Sequence, residues 1–99
     1  MDNYSKLQFM AKRLNDRFGE STAFQIVTRL AEECGEVAEQ VNRFEGTGIK
    51  KEKHGEPKVE KMTKELMDVM RCIMQLAIHY KIEKELEYTI NEHYEKHQK

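Results

Sequence analysis

Four carboxylates carry the spacing of a site that could do chemistry: Glu33 and Glu36 in one segment, and Glu65 and Asp68 in another. Acidic pairs three or four apart are common in so charged a chain, and Glu36/Glu39, Glu83/Glu87 and Glu92/Glu95 share these separations. Spacing alone therefore selects nothing, and position relative to the apolar stripes is the better guide. At about 100° of rotation per residue, Glu33 falls roughly 20° from Phe44 at the edge of its segment's apolar arc, with Glu36 one step further out. Glu65 falls between the azimuths of Cys72 and Leu76, and Asp68 lies just outside that arc. Two helices then each present an i, i+3 pair at a core margin. Packed together, they would gather Glu33, Glu36, Glu65 and Asp68 in one partly desolvated cleft, where like charges repel unless protons or a cation intervene. A divalent ion relieves that conflict, and all-oxygen ligation favours Mg²⁺ or Mn²⁺ over zinc. The competing reading is a solvated helix face with some glutamates paired to Arg29, Arg43 or Lys64. A di-iron carboxylate bundle needs Glu-x-x-His on two helices, and the residues three after Glu36 and Glu65 are Glu39 and Asp68.

The elements that must position these groups are legible as helical periodicity. Leu7, Met10, Ala11, Leu14 and Phe18 predict a first amphipathic helix from about Tyr4 to Phe18, stopped by Gly19. Ser21 or Thr22 is placed to cap a second helix, whose stripe Phe24, Val27, Ala31, Cys34, Ala38 and Val41 runs on toward Phe44. Between Gly46 and Pro57, three glycines, one proline and mixed charges predict a solvated connection. Val59, Met62, Leu66, Val69, Met70, Ile73, Leu76, Ala77 and Tyr80 form the stripe of a third helix from about Lys58 to Tyr80. A fourth, from Ile82 onward, is carried by Leu86, Ile90 and Tyr94. No internal repeat or low-complexity tract interrupts the pattern.

Composition bounds the rest. The chain has 99 residues, 38% hydrophobic and 35% charged, with one proline and no tryptophan. That balance predicts an all-α, four-helix bundle-like fold in a single domain over 1–99. So small a domain buries a modest share of its surface. Cys34 and Cys72 have neither CxxC nor CxxH spacing, which fits a reducing cytoplasm and supplies no staple; oligomerisation is then the expected supplement. A net charge of −1 gives no basic field for holding nucleic acid. No apolar run approaches the roughly 20 residues that span a bilayer, and the N-terminus lacks the apolar core of a signal peptide.

Other groups have plainer readings. Lys50, Lys51 and Lys53 could steer a phosphate chain, but Glu52 and Glu56 dilute their charge. His93 and His97 stand four apart on an exposed helix. Met62, Met67, Met70 and Met74, like the two cysteines, read as packing residues.

Leu30-Ala31-Glu32-Glu33-Cys34-Gly35-Glu36-Val37-Ala38-Glu39, taken with Lys64-Glu65-Leu66-Met67-Asp68-Val69-Met70, resembles the MazG-like all-α nucleotide pyrophosphohydrolases, whose signature is EExxE, a variable gap, then ExxD. The likeness spans about residues 22–80. It implies Mg²⁺ ligation by Glu33, Glu36, Glu65 and Asp68, with Glu32 binding a further metal or orienting water as a catalytic group. It implies hydrolysis of a nucleoside triphosphate, often a deoxy or noncanonical one, to the monophosphate and pyrophosphate. It also implies a homodimer or homotetramer with nucleotide sites near subunit boundaries. Two features depart from the pattern: many members carry ELGDV where this chain has Glu65-Leu66-Met67-Asp68-Val69, and Asn91 and Lys96 match only loosely the basic and amide cluster that follows the third helix. Phosphoribosyl-ATP or pyrimidine deoxynucleotide hydrolysis is the alternative within the superfamily, and a non-catalytic helical interaction module is the alternative outside it.

Overall fold

A computed structural model describes residues 1–46 and 56–98. Four helices form among them: α1 (Asn3–Phe18), α2 (Ala23–Glu45), α3 (Val59–His79) and α4 (Glu83–His97). The predicted all-α class and the helix count are both found, with ends within a few residues of those expected from periodicity. Lys50, Lys51 and Lys53 lie outside the described residues.

The helix ends have identifiable local causes. Asp2 caps α1 by accepting the Ser5 N–H at 2.8 Å, and that bond holds the Asp2 carboxyl below its usual range. Gly19 ends α1 at φ 84°, where its N–H reaches the Asn15 carbonyl. Thr22, one of two expected caps, forms a capping box on α2. Its hydroxyl accepts the Gln25 N–H at 3.1 Å, and the Gln25 carboxamide accepts the Thr22 N–H at 2.9 Å. Gly46 closes α2 in the left-handed region at φ 66°. The α3–α4 turn is tighter. Lys81 donates to the Ile78 carbonyl at 3.0 Å and Ile82 donates to Ala77 at 2.9 Å, the paired bonds of a Schellman motif. Its left-handed position falls on Lys81, at φ 57°.

The third helix is the hub, since α1, α2 and α4 each pack on it. Ala11, Met74 and Ala77 form the buried centre, with Tyr4, Leu7, Ile78 and Leu86 packed around them. The small Ala11 side chain is fully buried and lets α1 approach α3 closely. The Tyr4 hydroxyl donates to the Glu83 carbonyl, tying α1 to the start of α4.

One expectation is overturned. The stripe predicted to be the buried face of α2 faces outward: Phe24 is 86% exposed, and Val27, Ala31, Cys34, Ala38 and Val41 are exposed too. What α2 buries against α3 is the neighbouring arc of Ile26, Leu30, Glu33, Val37 and Gln40, which are buried or half-buried. The third helix behaves alike, with Leu66, Met70, Ile73 and Tyr80 exposed while Asp68, Cys72 and Gln75 are buried. The physical reason is supply: among the described residues α2 packs chiefly on α3, and one helix cannot cover an apolar arc this wide. Cys34 is consequently exposed, and only Cys72 packs as expected.

The left-handed Lys81 gives a direct test. A side chain in that region costs about 1–2 kcal/mol that glycine avoids, less the extra freedom glycine has when unfolded. Lys81→Gly should therefore stabilise the protein by about 0.5–1 kcal/mol, read as a higher urea midpoint at unchanged m-value.

Candidate metal centre

Packing α2 on α3 brings Glu33 opposite Glu65 and Asp68, and carboxylate oxygens from all three lie within 4.8 Å of one another. The side chains of Glu65 and Asp68 are only 14% and 11% exposed. Two full charges at about 5 Å repel by roughly 3 kcal/mol at an effective dielectric of about 20. The strain falls on Glu33, whose carboxyl is pushed above its usual range, first by burial and then by the charge of Asp68 and its interactions with Glu65.

Two cations offset part of this charge. Lys64 donates to Asp68 Oδ2 at 2.8 Å and stands 3.9 Å from Glu65. Hydrogen bonding and charge from Asp68, then charge from Glu65, raise its pKa. Arg71 donates to Asp68 Oδ1 at 3.2 Å. Their exposure differs: the Lys64 side chain is 68% exposed and that of Arg71 only 25%. The donor set fits a hard divalent cation: it is all carboxylate oxygen, partly desolvated, and carries surplus negative charge.

The other sequence candidates lie apart from the trio. Glu36, one turn beyond Glu33, is exposed and outside the cluster, because three residues of helix rotate it toward the open side of α2. Glu32 is exposed and lines a separate surface depression with Phe24, Gln25 and Thr28. Of the four carboxylates expected to gather, Glu33, Glu65 and Asp68 converge and Glu36 does not, while Glu32 lies in a separate depression. His93 and His97 are exposed on α4.

Sequence reasoning overlooked the groove beside the trio. Arg71 lines a cleft of about 670 Å³ between α1 and α3, where Phe9, Met10, Leu14 and Met67 stand beside Arg13, Asp16 and Arg17. It also lines a second pocket with Arg29 and Gln75. Arg29, read from sequence as a partner for glutamates, donates instead to Ser21 Oγ at 3.2 Å. The available signal was the i, i+3 spacing of Asp68 and Arg71, which puts a cation on the face of α3 that carries the acid.

Residues 21–99 match the family model of the MazG nucleotide pyrophosphohydrolase domain. The chain belongs to that family. As a MazG protein it is a nucleotide pyrophosphohydrolase of this superfamily, a group that generally depends on a divalent metal. No curated protein and no solved structure matches the chain. The family match begins at α2 and leaves out α1, the helix that walls the larger cleft. Among the described residues no helix is long and apolar enough to cross a membrane.

The raised Glu33 pKa has a consequence of definite sign. Folding favours the protonated form, so Glu33's contribution to stability is fully present below its unfolded pKa and is lost as pH rises through the raised folded value. Glu33→Gln should raise the melting temperature of the metal-free protein at pH 7 and have little effect below pH 4. It should also remove stabilisation by an added divalent cation such as Mg²⁺, which for one site on the folded state amounts to about 2.7 kcal/mol at a hundred times the dissociation constant. Thermal melts with and without Mg²⁺ at both pH values measure these effects.

Proposed function

We propose that this MazG protein is a Mg²⁺-dependent enzyme, with Mn²⁺ as a substitute ion, that hydrolyses a ribo- or deoxynucleoside triphosphate to the monophosphate and pyrophosphate. The observation that carries this reading is the convergence of Glu33, Glu65 and Asp68 at a partly buried helix–helix margin. Those three residues would hold the metal, and Glu36, one turn along α2, would complete the set. A bound divalent ion supplies charge neutralisation for phosphate oxygens and water of lowered pKa.

The protein's own groups then divide the remaining work. Water adds to phosphorus at the α–β anhydride, the bridging P–O bond breaks, and pyrophosphate leaves with that bond's electron pair. The proton released by water goes to a carboxylate with a free oxygen. Glu32 is the family-matched choice for that role. Lys64, exposed and anchored only at its tip, is free to swing off Asp68 when another cation neutralises the carboxylates. Arg71 stays beside Asp68 and faces the groove, where a guanidinium suits a phosphate oxygen. The Phe9, Met10, Leu14 and Met67 side of the larger cleft offers an apolar wall for a base.

The same reading includes self-association in the cytoplasm, as a homodimer or a dimer of dimers, with the whole chain as one domain. Helical azimuth places the exposed stripe of α2 and that of α3 on one side of the pair, away from Arg29 and Arg71. A contiguous apolar face of this kind marks an interface, and two such helix pairs laid face to face complete a four-helix bundle. A Cβ on Gly35 would meet no atom of this chain, so nothing inside the protomer calls for a glycine there.

Pyrophosphate release from a panel of ribo- and deoxynucleoside triphosphates tests the activity. Release should require Mg²⁺, cease with chelator, and fall roughly a hundredfold or more in Glu65→Gln and Asp68→Asn. A full panel without metal-dependent release would remove the enzymatic reading. For assembly, sedimentation should give at least a dimer, and Val27→Glu with Ile73→Glu should yield a helical monomer.

A further inference from the structure

A pocket of about 360 Å³ lies between the end of α1, the turn into α2 and the groove side of α3. Its polar lining is Asn15, Ser21, Arg29, Arg71 and Gln75, and no carboxylate lines it. Two guanidiniums therefore share a small cavity without an acid among its walls, in a chain whose formal net charge is −1. Among the described residues, the hydrogen bonds made inside leave donors over. Arg29 gives one bond to Ser21 Oγ at 3.2 Å, and Arg71 gives one to Asp68 at 3.2 Å while its Nε is buried without a partner. Each guanidinium carries five N–H groups. Gln75 is only 5% exposed, and its carboxamide oxygen is also buried without a partner. Buried polar groups left this way cost free energy that a ligand's hydrogen bonds recover.

We propose that this pocket is an oxyanion subsite that takes the terminal phosphate of the substrate's triphosphate chain and retains it in the pyrophosphate product. The inference rests on the enzymatic reading above and extends it to residues outside the carboxylate trio. Arg71 makes the connection, because one edge of its guanidinium touches Asp68 and the residue also walls the pocket. An anion bridging the two places would have one phosphate at the carboxylates and the next between the arginines. The pocket's polar walls are cationic and amide, which suits a phosphate, whereas the neighbouring 670 Å³ cleft adds Phe9, Met10 and Met67 and has Asp16 among its walls. Gln75 is served by a protonated terminal phosphate, or by turning its amide so that the N–H₂ donates. Planar guanidiniums engage phosphate through charge-assisted, paired N–H bonds, which gives the site affinity as well as orientation.

Calorimetric titration of inorganic pyrophosphate into the full chain at saturating Mg²⁺ tests the subsite, with Mg²⁺ alone titrated in parallel. Arg29→Gln should weaken pyrophosphate binding by about tenfold or more, and Arg29→Lys should recover part of the loss. Mg²⁺ binding alone should be unchanged, since Arg29 bonds Ser21 and none of the trio. Asn15→Asp, nearly isosteric and placing a negative charge in the pocket, should weaken pyrophosphate binding independently. Equal pyrophosphate affinity in the unmodified chain, Arg29→Gln and Asn15→Asp would overturn the subsite, whatever the hydrolysis assay gives. Arg29-dependent pyrophosphate binding without triphosphate hydrolysis would instead overturn the enzymatic reading and leave an anion site standing.

Discussion

Mutual repulsion among Glu33, Glu65 and Asp68 is the constraint around which the rest of the molecule is arranged. Each is held on a helix face that packing turns inward, and the carboxylate oxygens converge within 4.8 Å. Such an arrangement is unfavourable in isolation, as the raised proton affinity of Glu33 records. It persists because α2 and α3 have Ile26, Leu30, Val37 and Cys72 to bury along the same seam. Apolar burial on either side holds together charges that would separate in water, a strained arrangement of the kind that functional sites keep at some cost in stability.

The third helix carries this arrangement because it is shared by every other element. One of its faces receives α2 and the acidic seam, another receives α1 and α4 through Met74, Ala77 and Ile78, and a third carries Leu66, Met70 and Ile73 outward. Its charged residues divide accordingly: Glu60, Lys61 and Lys64 near its start are exposed, whereas Arg71 lines the groove beside α1 and α2.

Much of this was legible in the sequence. The four helices followed from periodicity and from Gly19, Thr22 and Gly46, because those signals are local and act through the backbone alone. Glu33, Glu65 and Asp68 were legible because rim position is a matter of azimuth. The side of each helix that would be covered was not. A stripe such as Phe24, Val27, Ala31 and Val41 reports only that the arc is apolar; whether the chain itself covers it depends on how many helices pack there. The same blindness hid Gln40, Arg43 and Gln75, polar residues buried because they sit on the seam side of α2 or α3. Arg71 escaped notice, and Arg29 was read only as a partner for glutamates, because their pocket is assembled from α1, the α1–α2 turn, α2 and α3, and no single segment displays it.

The two cations beside Asp68 divide along the same line. Lys64 reaches it from solvent on a long, exposed arm, so its contact is cheap to give up once another positive charge arrives. Arg71 reaches it from within, with Nε already buried, and the residue also lines a pocket with no carboxylate among its walls. Replacing Lys64 frees a carboxylate oxygen at little cost, whereas displacing Arg71 would strand a charge in a part-buried site. A cation arriving at the trio is therefore expected to displace the lysine and leave the arginine in place. The groove would then hold, side by side, an acidic end able to take a cation and a basic end able to take an anion. A metal-bound phosphate chain is a ligand that needs both.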